Sequence, residues 1–140
     1  MIDFSLRIEA PAATVFEMLT QADLLTEWMA CEAMVELRPG GAFRWTYENG
    51  DIVVGRFVEI DRPRRLVMEY GWASPASRGI PPGSTTVEIT LDEVGGATQL
   101  RLVHRALPAA EVESHRSGWE YFLEKLSARL GPVSKEGIMT

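Results

Sequence analysis

The sequence predicts an α+β domain: a curved antiparallel sheet of about six or seven strands around a long C-terminal helix, with two short helices after the first strand. Three observations carry that expectation. From Met34 to Arg105 the chain is a succession of segments alternating with a period of two and separated by turn residues. A single long stretch with apolar steps of three and four follows, from Glu111 to Leu130. The bulk composition, 46% hydrophobic and 24% charged over 140 residues, is that of a globular chain and of a length that suits one domain, residues 1–140.

Taken in order, Ile2, Phe4, Leu6 and Ile8 alternate with Asp3, Ser5, Arg7 and Glu9, the pattern of a first strand with one face buried. Pro11 fits the first turn of a short helix in which Val15, Met18 and Leu19 recur at helical spacing. Thr20 to Asp23 has the form of a capping box opening a second short segment, Leu24 to Trp28. Arg38-Pro39-Gly40-Gly41 and Glu48-Asn49-Gly50-Asp51 are turn signals, and strands are expected at 43–47 and 52–60 around the latter. Asp61-Arg62-Pro63-Arg64 turns the chain again, and Gly95-Gly96 joins the strands at 85–91 and 98–105. Residues 73–83, with three prolines and two glycines, are long for a hairpin connection and suit a lid over a pocket mouth. On the last helix Val112, His115, Trp119, Phe122, Leu126 and Leu130 form one face, Gly131-Pro132 ends it, and 133–140 reads as a loose tail.

Such a sheet needs a cover for its apolar face, and the 111–130 helix is the element long enough to supply it. Alternation puts four sets inward: Phe43, Trp45 and Tyr47; Leu66, Met68, Tyr70 and Trp72; Val87, Ile89 and Leu91; Leu100, Leu102 and His104. The 52–60 strand resists a single assignment, because Val53 and Phe57 fall on one face and Ile52, Val54, Val58 and Ile60 on the other, so Gly55 is the expected position of a bulge. A curved sheet cannot touch a straight helix across its whole width, and the wedge left at one end is either filled or open to a ligand.

Several chemistries are disfavoured. Fourteen Lys and Arg against twenty Asp and Glu give a net charge of −6, which repels phosphate backbones, so no nucleic acid partner is expected. Cys31 is the only cysteine, which suits a reducing compartment and reads as a buried, inert thiol. No leader pattern and no apolar run of bilayer-spanning length is present, and a cytoplasmic protein without membrane contact is expected. His104 and His115 belong to no metal-binding spacing, and neither a metal nor another cofactor is expected. No nucleophile elbow or phosphate-cradling loop occurs. The remaining catalytic route is acid–base work by His104 or His115, with Tyr70 or Glu27 in support. Against it stands a structural role, His115 bonding a carbonyl near the start of its helix and His104 capping the sheet edge.

Ala10-Pro11, Leu24 to Trp28, Arg38-Pro39-Gly40-Gly41-Ala42-Phe43, Gly55 to Ile60, Pro63-Arg64-Arg65-Leu66, Thr85 to Leu91 and His115-Arg116-Ser117-Gly118-Trp119 occur in an order that resembles a known family. It is the branch of the START-like (SRPBCC) superfamily named after an activator of a large heat-shock chaperone's ATPase. The resemblance spans nearly the whole chain; Met29 departs from it, standing where a second aromatic often follows the tryptophan. It implies a helix-grip fold and a cavity suited to hydrophobic small molecules. The co-chaperone role goes with longer members that carry a further binding domain, and this chain is expected to hold the one fold alone.

Three functions follow as expectations. The first is a carrier or sequestering module for an apolar or aromatic small molecule, held by Trp45, Tyr47, Met68, Tyr70, Trp72, Leu102, His104, His115, Trp119 and Phe122. The second is a cyclase, dehydratase or hydrolase acting in that cavity, and the third a co-chaperone or protein-interaction domain. A homodimer through a free sheet edge is compatible with all three.

Overall fold

A seven-stranded antiparallel sheet in the order β1-β7-β6-β5-β4-β3-β2 curls around the C-terminal helix. The computed structural model describes residues 1–74 and 80–131. Its elements are β1 (Ile2–Ile8), α1 (Ala12–Thr20), α2 (Ala22–Leu25), β2 (Glu32–Val35), β3 (Ala42–Thr46), β4 (Ile52–Asp61), β5 (Arg65–Ser74), β6 (Thr85–Val94), β7 (Ala97–Arg105) and α3 (Ala109–Leu130). Strands β2 to β7 form a meander, β1 pairs with β7, and α1 and α2 carry the chain from the β1 edge to the β2 edge. Gly95 and Gly96, at φ 62° and 83°, close the β6–β7 hairpin between paired Val94 and Ala97. Positive φ at both central positions gives the turn whose twist matches that of the strands.

All four inward sets face α3 or the ends of α1 and α2, and every member except the half-buried Tyr47 is buried. The helix answers with His115, Trp119, Leu123 and Leu126. Leu123 thus takes the core position that the sequence pattern gives to Phe122, which is half-buried beside it. At 0% exposure, Leu123 and Leu126 each bury a full aliphatic side chain, roughly 2 kcal/mol apiece.

The bulge in β4 lies at Val58, not Gly55. Phe57 pairs with Met68 and Glu59 with Val67, so two residues of β4 are passed in one step of β5. The unpaired Val58 turns outward, 53% exposed, and Ile60 moves to the inward side opposite Leu66. This resolves the mixed parity of the strand. Gly55 serves a different need, a close approach: a methyl there would collide with the Glu69 carbonyl and stand 2.7 Å from two atoms of the Phe43 ring.

The Thr20–Asp23 capping box does not form. Thr20 is the buried last residue of α1 and gives its hydroxyl to the Phe16 carbonyl at 2.8 Å, leaving Gln21 as the N-cap of α2 without a side-chain cap. What ties the α2 turn down is Trp28, whose Nε1 donates to the Met18 carbonyl at 2.9 Å. Of the proposed lid, 75–79 lie outside the described residues. Beyond them Ile80 is fully buried, its carbonyl accepts from the Trp72 backbone N–H at 2.8 Å, and Pro81 and Pro82 cross against Gly71. The tail at 133–140 also lies outside the described residues.

Gly55→Ala is expected to destabilise the protein by about 3 kcal/mol, since both colliding groups belong to a packed sheet. Urea unfolding of the variant checks this, and an unchanged midpoint would contradict the packing at β3–β5.

Candidate cleft between sheet and helix

At the end of α3 nearest the β3–β4 turn, the curl of the sheet leaves a half-open cleft of about 650 Å³. That is within the ~300–1,000 Å³ usual for small-molecule sites. Six of the ten side chains named from sequence line it: Tyr47, Tyr70, Trp72, His115, Trp119 and Phe122. Their rings form a connected floor, with Tyr47 5.8 Å from Trp72 and 5.5 Å from Phe122, and Tyr70 6.3 Å from Trp72 and 5.9 Å from Trp119. The other four lie outside the lining. Trp45 and Met68 surround a void of only about 10 Å³, and Leu102 and His104 are fully buried.

Beneath the floor two tryptophans and two histidines are joined in a reciprocal pattern. Trp72 of β5 donates from Nε1 to His115 Nε2 of α3 at 2.9 Å, and Trp119 of α3 donates from Nε1 to His104 Nδ1 of β7 at 3.1 Å. An indole nitrogen can only donate, so each accepting imidazole nitrogen must be unprotonated. The proton of His115 is then on Nδ1, which donates to the Glu111 carbonyl at 2.9 Å. The proton of His104 is on Nε2, which donates to Thr85 Oγ1 at 2.9 Å, and that hydroxyl passes its own proton to the Tyr70 carbonyl at 2.8 Å. Burial, with the neighbouring His115 and the N-terminal amine adding repulsion, holds His104 at about 3, far below its ordinary 6.5.

His104 does not cap a sheet edge. β7 lies between β1 and β6, and the imidazole is at 0% exposure with both nitrogens committed. His115 does bond a carbonyl in the first turn of its helix. Glu27, on the rim, is held by Arg129 at 2.6 and 3.0 Å. The rings are 5.9 Å apart in the histidine pair, yet no group of three or more potential ligands that could hold a metal occurs among the described residues. Cys31 is exposed, at the rim, and not buried: it enters the edge strand, where its backbone N–H reaches Thr46 and its side chain stays in solvent.

On one side of the cleft the sequence pattern names Phe122 alone. Ser114, Gly118, Phe122 and Lys125 form a second stripe on α3, one residue from the buried stripe of His115, Trp119, Leu123 and Leu126. Two small residues at helical spacing beside an apolar face are a signal that the helix leaves room there. Gly118 shows it directly, since a Cβ built on it meets no atom within 4 Å. The rim also takes Glu48, Asn49 and Asp51 from the β3–β4 turn, and Lys125 places its ammonium 5.8 Å from the Phe122 ring centre.

A curled antiparallel sheet that grips a C-terminal helix and leaves a cleft beside it defines a helix-grip protein of the START-like class. Within that class the chain belongs to the family described as Activator of Hsp90 ATPase homolog 1-like protein, whose family model matches residues 9–131. It is 27% identical over 119 residues to the human activator of 90 kDa heat shock protein ATPase homolog 1, covering 84% of this chain and 33% of the relative. The chain thus spans about a third of the length of the curated relatives it matches. The same fold occurs in an HSP90 activator from Plasmodium falciparum, 24% identical with a TM-score of 0.76, covering 92% of this chain and 94% of that one. It occurs again in the Aha1 dimer from Colwellia psychrerythraea, 19% identical with a TM-score of 0.75, covering 93% and 96%. No helix among the described residues is long and apolar enough to cross a membrane.

The state of His104 predicts an acid-sensitive fold. The unfolded chain takes up this proton below about pH 6.5 and the folded protein only near 3, so stability is complete above 6.5 and falls as the pH drops through that window. The expected loss is about 1.4 kcal/mol per pH unit below 6.5. Asp3 and Glu88, held below the usual carboxylate range by hydrogen bonds from Arg101 and Arg105, add their share only at more acidic pH. Urea midpoints between pH 7.5 and 5 should therefore fall for the natural protein and stay flatter for His104→Gln. A flat natural profile would contradict the buried neutral imidazole.

Proposed function

We propose that the protein binds a hydrophobic, aromatic small molecule in the cleft and carries or sequesters it. The observation that carries this reading is Gly118. A glycine inside a helix costs about 1 kcal/mol relative to alanine. Here it stands in a 22-residue helix, lines the cleft, and has nothing packed where its side chain would be. The space it leaves faces a floor of aromatic rings, which offers a ligand stacking and dispersion over a wide area. The imidazoles are committed to indole donors and backbone or hydroxyl partners, which favours binding over acid–base turnover.

A second reading, action on a heat-shock chaperone, is favoured by the family match and by the name of the human relative. Adding the chain to that chaperone and measuring its ATPase rate checks it; an unchanged rate removes this reading.

The cleft is tested by Gly118→Leu and Gly118→Ala with the neutral fluorescent probe N-phenyl-1-naphthylamine. The natural protein should bind the probe saturably at one site. Gly118→Leu should abolish binding while both variants melt higher than the natural protein, because a helix glycine is replaced with no clash. Absence of saturable binding, or full binding by Gly118→Leu, would overturn the proposal.

A further inference from the structure

We infer that Tyr47 is the polar anchor of the cleft and selects planar aromatic ligands that carry a carbonyl oxygen. This rests on the reading of the cleft as a small-molecule site.

A cleft floored by rings can still discriminate if one donor is left without a partner, because a ligand that satisfies it gains a bond that an isosteric hydrocarbon cannot make. The indole donors of Trp72 and Trp119 are spent on His115 and His104. Tyr47 is different. Its ring stands between Trp72 and Phe122 in the lining, and its hydroxyl has no hydrogen-bond partner among the described residues. Among the described residues the one fully enclosed side-chain polar atom without a partner is Trp45 Nε1, so the Tyr47 oxygen is not sealed in the core but keeps accessible surface, on a residue that lines the cleft. Burial also pushes the phenol well above its ordinary value, with no charged neighbour to pull it back. The group is therefore a protonated, neutral donor across the physiological range.

A neutral donor in an apolar setting restricts its partner. A carboxylate would have to leave water for a hydrogen bond against aromatic faces in a lining where Glu27, Glu48 and Asp51 outnumber Lys125, a poor exchange for a negative charge. A ligand hydroxyl would bring a donor of its own that needs an acceptor, while the imidazole nitrogens nearby are engaged. A ketone or related carbonyl oxygen only accepts, and it is conjugated and coplanar with an aromatic ring, so it lets the rest of the ligand lie against the ring floor.

The test uses two ligands of one shape, 2-acetylnaphthalene and 2-isopropenylnaphthalene, which differ only in C=O against C=CH2. Each is titrated against the natural protein and Tyr47→Phe, following tryptophan emission, since Trp72 and Trp119 line the cleft. Tyr47→Phe keeps the ring, and its thermal midpoint should match that of the natural protein because no hydrogen bond within the fold is lost. The expected result is that the ketone binds Tyr47→Phe about five- to tenfold more weakly while the hydrocarbon changes less than twofold. If both ligands bind and the ketone loses nothing in Tyr47→Phe, the anchor is overturned and the cleft stands. If neither ligand binds the natural protein, the small-molecule reading falls and the anchor with it.

Discussion

The structure depends on how two indole N–H groups are satisfied inside an apolar interior. A buried tryptophan brings a large apolar surface and one donor that cannot be left in hydrocarbon without a cost of about 1–3 kcal/mol. Trp72 and Trp119 meet that demand with the chain's two histidines, and they do so reciprocally: the sheet gives an indole to the helix's imidazole, and the helix gives an indole to the sheet's. Two polar links across an otherwise apolar interface fix both the rotation of α3 and its position along the sheet, because His115 and Trp119 are four residues apart on one helix face. A purely aliphatic interface would tolerate sliding by a turn; this one would strand two donors and two acceptors.

That register determines the rest of the site. With His115 and Trp119 turned into the core, the neighbouring stripe of Ser114, Gly118 and Phe122 faces the opening where the sheet curls away. The cleft is thus a consequence of the same pinning that closes the core, and the indole N–H groups of Trp72 and Trp119 in its floor are already engaged. An imidazole nitrogen that accepts from an indole cannot take a proton without expelling that donor.

Much of this was legible in the residues. Period-two alternation places Tyr70, Trp72 and His104 inward, and the helical stripe places His115 and Trp119 against them, because burial of one face is a local property of each element. The partners were not legible. Trp72 and His115 are 43 residues apart, and which strand residue meets which helix residue is set by the pairing register and the helix rotation, neither of which leaves a spacing in the sequence. The β4 bulge shows the same limit: the parity conflict was visible, but its position at Val58 follows from where Phe57 and Ile60 must both reach the core opposite Met68 and Leu66. Cys31 and Thr20 failed for a related reason, since composition gives the average burial of a residue type and an edge strand or a helix end decides the particular case.

The core and the cleft draw on different stripes of α3. What the helix-grip fold needs is the inward alternation, the tight turns and the α3 core stripe. The cleft is bounded by the second stripe of α3, by Tyr47 at the end of the β3 side, and by the turn carrying Glu48, Asn49 and Asp51; of these Tyr47 and Phe122 also pack, partly buried, against the core. A substitution at Gly118 reshapes the cleft without removing a partner from the Trp–His pairs. Gly118, which weakens its helix and has nothing within 4 Å of where its side chain would be, is a residue that stability alone would not select.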